Sequence, residues 1–322
     1  MEAITKSLAA PIENEGKLLA LRNAANDYRY RRGKWRKRSA RPRRPSSARC
    51  RGRPLGRVPV LHDRRPILAE RFTVIAPDQR GVGMSSITAG GSDKTTMAKD
   101  LAGLLDHLGI GEIHLAGYDL GAGTAAAFAR DYPARVRCVA FLEFGLAGFG
   151  YEQFMMPSPD WTLNSNWHLA LFTVPNAAEW MLRGRERELL AWFFYHFAYS
   201  GNASVRREHF EAYLREVSKP GALRAGVNYY AAVWRDAKDN AVIKQRPLLM
   251  PALAVGGEAS AGPYGEAFWK PVAPNLLVRS IPRAGHWLGD ENPEATAAAL
   301  MEFFGADPKP LAPAKLGAAK RD

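Results

Sequence analysis

From residue 66 onward the chain alternates short apolar runs with helix-length segments, and that alternation admits few folds. "FTVIAPD" (72–78) is a short apolar run closed by the turn "QRGVGMSS", as a strand buried on both faces would be. "TTMAKDLAGLLDHLGI" (95–110) has helical spacing and stops near Gly109. "EIHLAGYD" (112–119) is the next strand, and "GAGTAAAFARDYP" is a helix stopped by Pro133. "VRCVAFLEF" (136–144), "MPALAVGGE" (250–258) and "NLLVRSIP" (275–282) are further strands, and "PEATAAALMEFFG" is a closing helix. Strands that alternate with helices imply a mostly parallel sheet flanked by helices, an α/β fold. Between 145 and 245 the rhythm breaks into a helix-like stretch rich in aromatics, with Trp161, Trp167, Trp180, Trp192 and Trp234. It reads as a helical cap inserted between core segments 66–144 and 246–305, with a disordered tail at 306–322.

Residues 1–65 do not share this pattern. Residues 29–65 hold 16 Lys/Arg against one acid, Asp63, while the whole chain is +13, so the rest of the chain is close to neutral. The basicity therefore belongs to one block without apolar periodicity, which is expected to be disordered. A general nucleic-acid surface is not expected, although a basic arm remains the alternative. No apolar run approaches the ~18 residues of a membrane span, and "MEAITKSLAAPIENEG" lacks the basic-then-apolar plan of a signal peptide. Cys50 and Cys138 are the only cysteines, so a disulfide framework is not expected, which favours the cytoplasm. The sequence carries no signal of oligomeric state.

The chemistry centres on "HLAGYDLGAG" (114–123). Asp119 sits between a strand and a helix in the pattern small-x-acid-x-small, Gly117-Tyr118-Asp119-Leu120-Gly121. Such tight turns need small residues because backbone and helix crowd there. They present a nucleophile, and the next N–H, here that of Leu120, points at a developing oxyanion. The plainer reading is an Asp capping the following helix. "PRAGHW" (282–287) follows the last strand and supplies His286 as a candidate base.

On these residues the segment 66–305 resembles the α/β-hydrolase fold, and within it the epoxide hydrolase and haloalkane dehalogenase branch. "VIAPDQRGVGMSS" is similar to that branch's Pro-Asp-x-Arg-Gly-x-Gly-x-Ser turn. The resemblance implies that Asp119 displaces an alkyl leaving group to form an ester, which water activated by His286 then hydrolyses. The acid that orients His286 is Glu143, at the end of "VAFLEF", or Glu258. Ser260 occupies the place where many relatives carry this acid as Asp. "NSNWHLALF" places His168 like a cap donor of one bacterial epoxide hydrolase subgroup. "GALRAGVNYYAAVW" supplies its partner Tyr230, with Tyr229 as the alternative, although Ala231 replaces an expected Arg. Tyr118, Trp167, Tyr229 and Trp287 are the expected pocket walls. Leu120 stands where typical haloalkane dehalogenases carry a halide-binding Trp. No arginine lies near Asp119 before Arg130 to hold a haloacid carboxylate. The expectation is an epoxide hydrolase acting on a small molecule, with no metal or organic cofactor. The rivals are a dehalogenase of haloalkanes or haloacids, and a catalytically dead homologue with a basic arm.

One part of the pattern is missing. The fold's oxyanion loop reads His-Gly-x-Pro after an apolar strand, whereas "VPVLHDRRPILAERF" has His62-Asp63. The first strands are therefore expected to be disrupted. A shifted reading frame over the arginine block is one hypothesis. Codons for Gly33-Lys34-Trp35-Arg36, moved by one base, can encode Gly-Ser-Gly-Glu, a common turn before the oxyanion strand in this family. The nucleotide sequence decides it.

Overall fold

A computed structural model describes residues 17–21, 28–31, 34–37, 65–157 and 166–306. In chain order its strands are β1 (Lys17–Leu21), β2 (Tyr28–Arg31), β3 (Lys34–Lys37), β4 (Thr73–Ile75), β5 (Ile113–Tyr118), β6 (Val136–Leu142), β7 (Ala252–Gly257) and β8 (Leu276–Ile281). Six of them form one parallel sheet in the order β4-β1-β5-β6-β7-β8. The strands expected from residue 72 onward are all present. β2 and β3 pair with each other as a separate antiparallel ribbon.

One strand from the N-terminal segment has a place in this sheet. β1 pairs with β4 on one side and β5 on the other, inside the sheet. "KLLAL" is only five residues long, and its partners lie far along the chain, so local pattern does not reveal it. Residues 22–27 and 38–64, including Cys50, His62 and Asp63, lie outside the described residues, as do Trp161 and the tail from 307.

The helices of the core are α1 (Arg65–Ala69), α2 (Lys94–His107) and α3 (Leu120–Asp131). α2 is capped by Asp93, whose carboxylate accepts from the Thr96 N–H at 2.9 Å. α3 carries Ala122, Ala125, Ala126, Ala127 and Ala129 without exposed surface, so small side chains let it lie close on the sheet. Apolar clusters cover both faces: Leu101, Leu104, Leu115, Phe128, Phe141 and Trp269 on one, Leu68, Phe72, Leu253, Leu288, Leu300 and Phe304 on the other.

Among the described residues, six α-helices lie between β6 and β7: α4 (Trp167–Leu171), α5 (Pro175–Leu182), α6 (Glu186–His196), α7 (Arg207–Val217), α8 (Ala222–Ala231) and α9 (Val233–Asn240). They form the helical insertion. After β7 come α10 (Gly265–Trp269), α11 (Leu288–Glu291) and α12 (Pro293–Gly305). The insertion is bolted to the core through α9. The Lys94 N–H donates to Asp236 Oδ1 at 2.8 Å, and Lys94 Nζ lies 3.4 Å from Oδ2, both side chains being 5% exposed. Thr95 Oγ1 donates to Asp239 (2.9 Å) and an Arg130 N–H to Asn240 (2.7 Å).

Candidate active site

The parallel strands all end on one side of the sheet, where open α/β sheets place their ligands. Two of the three non-glycine residues with positive φ among the described residues lie just past these strand ends: Asp119 (φ 51°) after β5 and Glu143 (φ 54°) after β6. Backbone strain of this kind persists only where its surroundings hold it. Around Asp119 they do. The Asp119 N–H donates to the Leu142 carbonyl at 2.9 Å, and its carbonyl accepts from the Ala122 N–H at 2.7 Å. The turn also explains Gly117. A Cβ there would strike the Gly121 carbonyl and come within 2.6 Å of Ala122 Cα, so no side chain fits.

Asp119 makes no side-chain cap bond to α3, which removes the plain capping reading of this residue. Its carboxyl faces a cavity of about 810 Å³ that lies between the core and the helical insertion. Burial pushes its pKa above the usual carboxylate value and the charge of Glu143 adds to this, while His286, the Leu120 N–H and Lys94 oppose it. His286 enters from the loop after β8. Its Nδ1 donates to Glu143 Oε2 at 3.0 Å. Glu143 is held in turn by the Gly257 N–H (2.5 Å, on Oε1) and by Ser260 Oγ (2.7 Å, on Oε2). Burial alone would lower the His286 pKa. The hydrogen bond to Glu143 and the charges of Asp119, Glu143 and Glu291 outweigh it, and the ring sits above its ordinary 6.5. Glu258 is exposed and makes no described bond to the ring.

The insertion supplies the opposite wall. His168 is 7% exposed and packed among Phe172, Phe193, Phe197 and Tyr230. Among the described residues its Nδ1 has no hydrogen-bond partner. Burial, with the charge of His286, lowers its pKa to about 3, so the ring is neutral. Tyr230 lies against His168, with ring centroids 5.8 Å apart. Burial, and then the charges of Asp119 and Tyr151, hold its hydroxyl well above the usual value, so it keeps its proton. Tyr229 differs: its hydroxyl donates to the Arg80 carbonyl, and its own carbonyl accepts from Lys94 Nζ at 3.1 Å.

The cavity thus gathers Asp119, Leu120, Glu143, His168, Tyr229, Tyr230, His286 and Trp287. Two expected wall residues are not part of it. Tyr118 lies behind His286, its ring 5.5 Å from the imidazole and its hydroxyl donating to the His286 carbonyl. It is the last residue of β5, whereas Asp119 lies beyond the strand in the positive-φ turn, and the two side chains part there. Trp167 packs on Trp192 (5.1 Å) and edge-on to Phe172 (6.2 Å), turned away on the helix that aims His168 inward. Tyr151 is a wall residue that sequence reasoning missed. It is 6% exposed and its hydroxyl is held well above the usual value by burial and by Asp119. It stands in "GLAGFGYEQF", where glycines erase any periodic signal.

No group of three metal-ligating side chains occurs among the described residues, and no described helix is long and apolar enough to cross a membrane. A family model described as alpha/beta hydrolase fold matches residues 63–293. The chain is 31% identical over 257 residues to the soluble epoxide hydrolase of Corynebacterium sp. (strain C12), which covers 74% of this chain and 83% of that protein. The solved structure of wild-type Cfl2 from Burkholderia cenocepacia superposes with a TM-score of 0.75 at 29% identity, covering 90% of this chain and 88% of that one. The structure of the epoxide hydrolase CorEH without ligand gives 0.69 at 26% identity, covering 91% and 93%.

Proposed function

The chain belongs to the alpha/beta hydrolase fold family, and from that premise we propose that it hydrolyses epoxides to diols through an ester on Asp119. One observation carries the reading. The strand-to-helix turn offers a carboxylate to a cavity whose facing wall holds a neutral His168 and a protonated Tyr230. A carboxylate oxygen of Asp119 attacks the less hindered ring carbon and the C–O bond breaks. Tyr230 protonates the departing alkoxide, and His168 supports it with a hydrogen bond. His286 then takes a proton from water, whose oxygen attacks the ester carbonyl. The Leu120 N–H holds the oxyanion that forms. Collapse releases the diol, restores the Asp119 carboxylate, and returns the proton from His286 to Tyr230. Formation of the ester also removes the Asp119 charge that helps keep His286 protonated, so the ring becomes a base at the step that needs one.

The dehalogenase reading fits less well. Leu120 offers no indole N–H beside the nucleophile, and among the described residues no arginine lines the cavity. Its lysine, Lys219, is paired with Glu216. The 810 Å³ cavity is walled largely by apolar and aromatic side chains, with Phe and Leu prominent among them, which suits an apolar, uncharged epoxide. The test is intact-protein mass spectrometry after brief exposure to a panel of epoxides. Asp119→Ala should lose both turnover and label, and His286→Gln should accumulate the ester. Equal loss of label in both variants would count against these roles, and chloride release from haloalkanes without diol formation would move the assignment to the rival.

A further inference from the structure

Glu291, at the end of α11, accepts four hydrogen bonds, and its two oxygens divide them by origin. Oε1 takes the Tyr199 N–H (2.6 Å) and the Ser204 hydroxyl (2.7 Å), both from the helical insertion. Oε2 takes the N–H groups of Gly285 (2.8 Å) and Trp287 (3.2 Å), the two residues that flank His286. The same two segments also meet directly. The His286 N–H donates to the Phe197 carbonyl at 2.6 Å, and Trp287 Nε1 donates to the Phe193 carbonyl at 3.3 Å. Gly285 is required by this crossing, since a Cβ there would lie 2.5 Å from the Phe197 oxygen and 2.8 Å from the Tyr199 nitrogen. Next to it, His209 Nδ1 donates to Asp290 Oδ1 (2.5 Å), while Arg206 donates to His209 Nε2 (2.7 Å), which ties α7 to α11, the helix that carries Glu291.

We propose that Glu291 is a positioning residue for His286: one oxygen holds the helical insertion and the other holds the histidine loop, so the base is aligned for water only while the insertion is seated. This rests on the reading of His286 as the base that hydrolyses the ester. The carboxylate touches no substrate and acts through the two backbone N–H groups that fix the loop. A Cβ-level shift of the loop would move the ring by a large fraction of an ångström, and displacement of that order costs hydrolytic steps heavily. The titratable groups around the imidazole are Glu143, Asp119, His168 and Tyr118, with Glu291 further back, and the Glu291 charge adds to the pull that keeps the ring protonated.

The test compares the full chain with Glu291→Gln and Glu291→Asp, using styrene oxide as the probe and quenched-flow mass spectrometry to time ester formation and decay. In Glu291→Gln, decay should slow about 10- to 100-fold while ester formation stays within about twofold, because only the second step uses the ring. A purely structural role would slow both steps in the same proportion, through loss of folded protein, and that result overturns the proposal. NMR titration of the His286 ring, assigned by its absence in His286→Gln, should move to lower pH in Glu291→Gln. In Glu291→Asp the titration should stay near that of the unmodified chain while decay still slows, because the shorter arm keeps the charge but cannot reach both sets of donors. An unmoved titration in Glu291→Gln, or unmoved decay, also overturns the proposal. Should Glu291→Gln not fold, Ser204→Ala removes one donor on the insertion side and should slow decay alone, in smaller measure. If no epoxide labels the unmodified chain, the hydrolase reading fails, and the titration alone decides whether Glu291 governs His286.

Discussion

Replacing Glu143 by Gln separates the two half-reactions most sharply. The carboxylate is 1% exposed and takes three donors: His286 Nδ1 and Ser260 Oγ on one oxygen, and the Gly257 N–H on the other. An amide of the same shape carries one acceptor oxygen, so its NH2 must face either Gly257 or the His286–Ser260 pair, donor against donor. The imidazolium formed during ester hydrolysis also loses its charged partner. A hydrogen bond to a charged group contributes about 1.5–3 kcal/mol, and ~1.4 kcal/mol is a factor of ten in rate. Ester hydrolysis should therefore slow by about 10- to 100-fold from this bond alone. Alkylation does not use His286 and should be nearly unchanged, so the ester accumulates. The pH profile carries a second, opposite signature. In the native site the hydrogen bond to Glu143 and its charge are two of the causes that raise His286, working against burial, which lowers it. Without them the ring loses its proton at lower pH, and the acid limb of the hydrolysis step moves down while the plateau falls. The assay is quenched-flow mass spectrometry of the ester across a pH series. A plateau that falls with the acid limb unmoved, or moved upward, would refute the assignment of Glu143.

Tyr230→Phe should slow ester formation, measured by rapid labelling, because its proton is the one available to the alkoxide. Tyr229→Phe, whose hydroxyl is already donated to the Arg80 carbonyl, should lower the melting temperature instead and leave labelling in place. Gly117→Ala places a methyl group against the backbone of Gly121 and Ala122, and should cost about 1–3 kcal/mol or more, read as a lower denaturant midpoint or lost expression. Exchange of residues 23–63 for a family-like segment with a His-Gly-x-Pro loop should raise diol formation by about 10²–10³-fold, the typical worth of one oxyanion donor. A diol assay on paired preparations decides it.

The Asp119 turn and the histidine were legible because each is encoded locally. Glycines at a strand-to-helix turn, and Gly-His-Trp after a last strand, leave little conformational freedom to misread. Glu143 was legible with Glu258 as its rival, since both follow core strands and only the fold brings one of them to His286. The pocket walls were harder. β5 is buried along its whole length, so burial does not mark which face Tyr118 takes. Trp167 and His168 share one short helix, and the turn between neighbours sends them to different sides. β1 was hidden because its pairing with β4 and β5 is non-local, and a run of five residues carries too little pattern of its own.

The pair of Lys94 and Asp236 sets a limit on how this architecture can be recombined. Its two charges come from separate stretches of chain, one at the start of a core helix and one at the end of the inserted helices. An insertion transplanted from a relative without an acid at that position would leave the lysine charged and dry without its ionic partner, at a cost of about 3–5 kcal/mol. That is a large part of what holds a typical domain folded. Substrate range can thus be altered by point changes along the Phe-lined wall, whereas wholesale exchange of the helices requires the partner aspartate to travel with them.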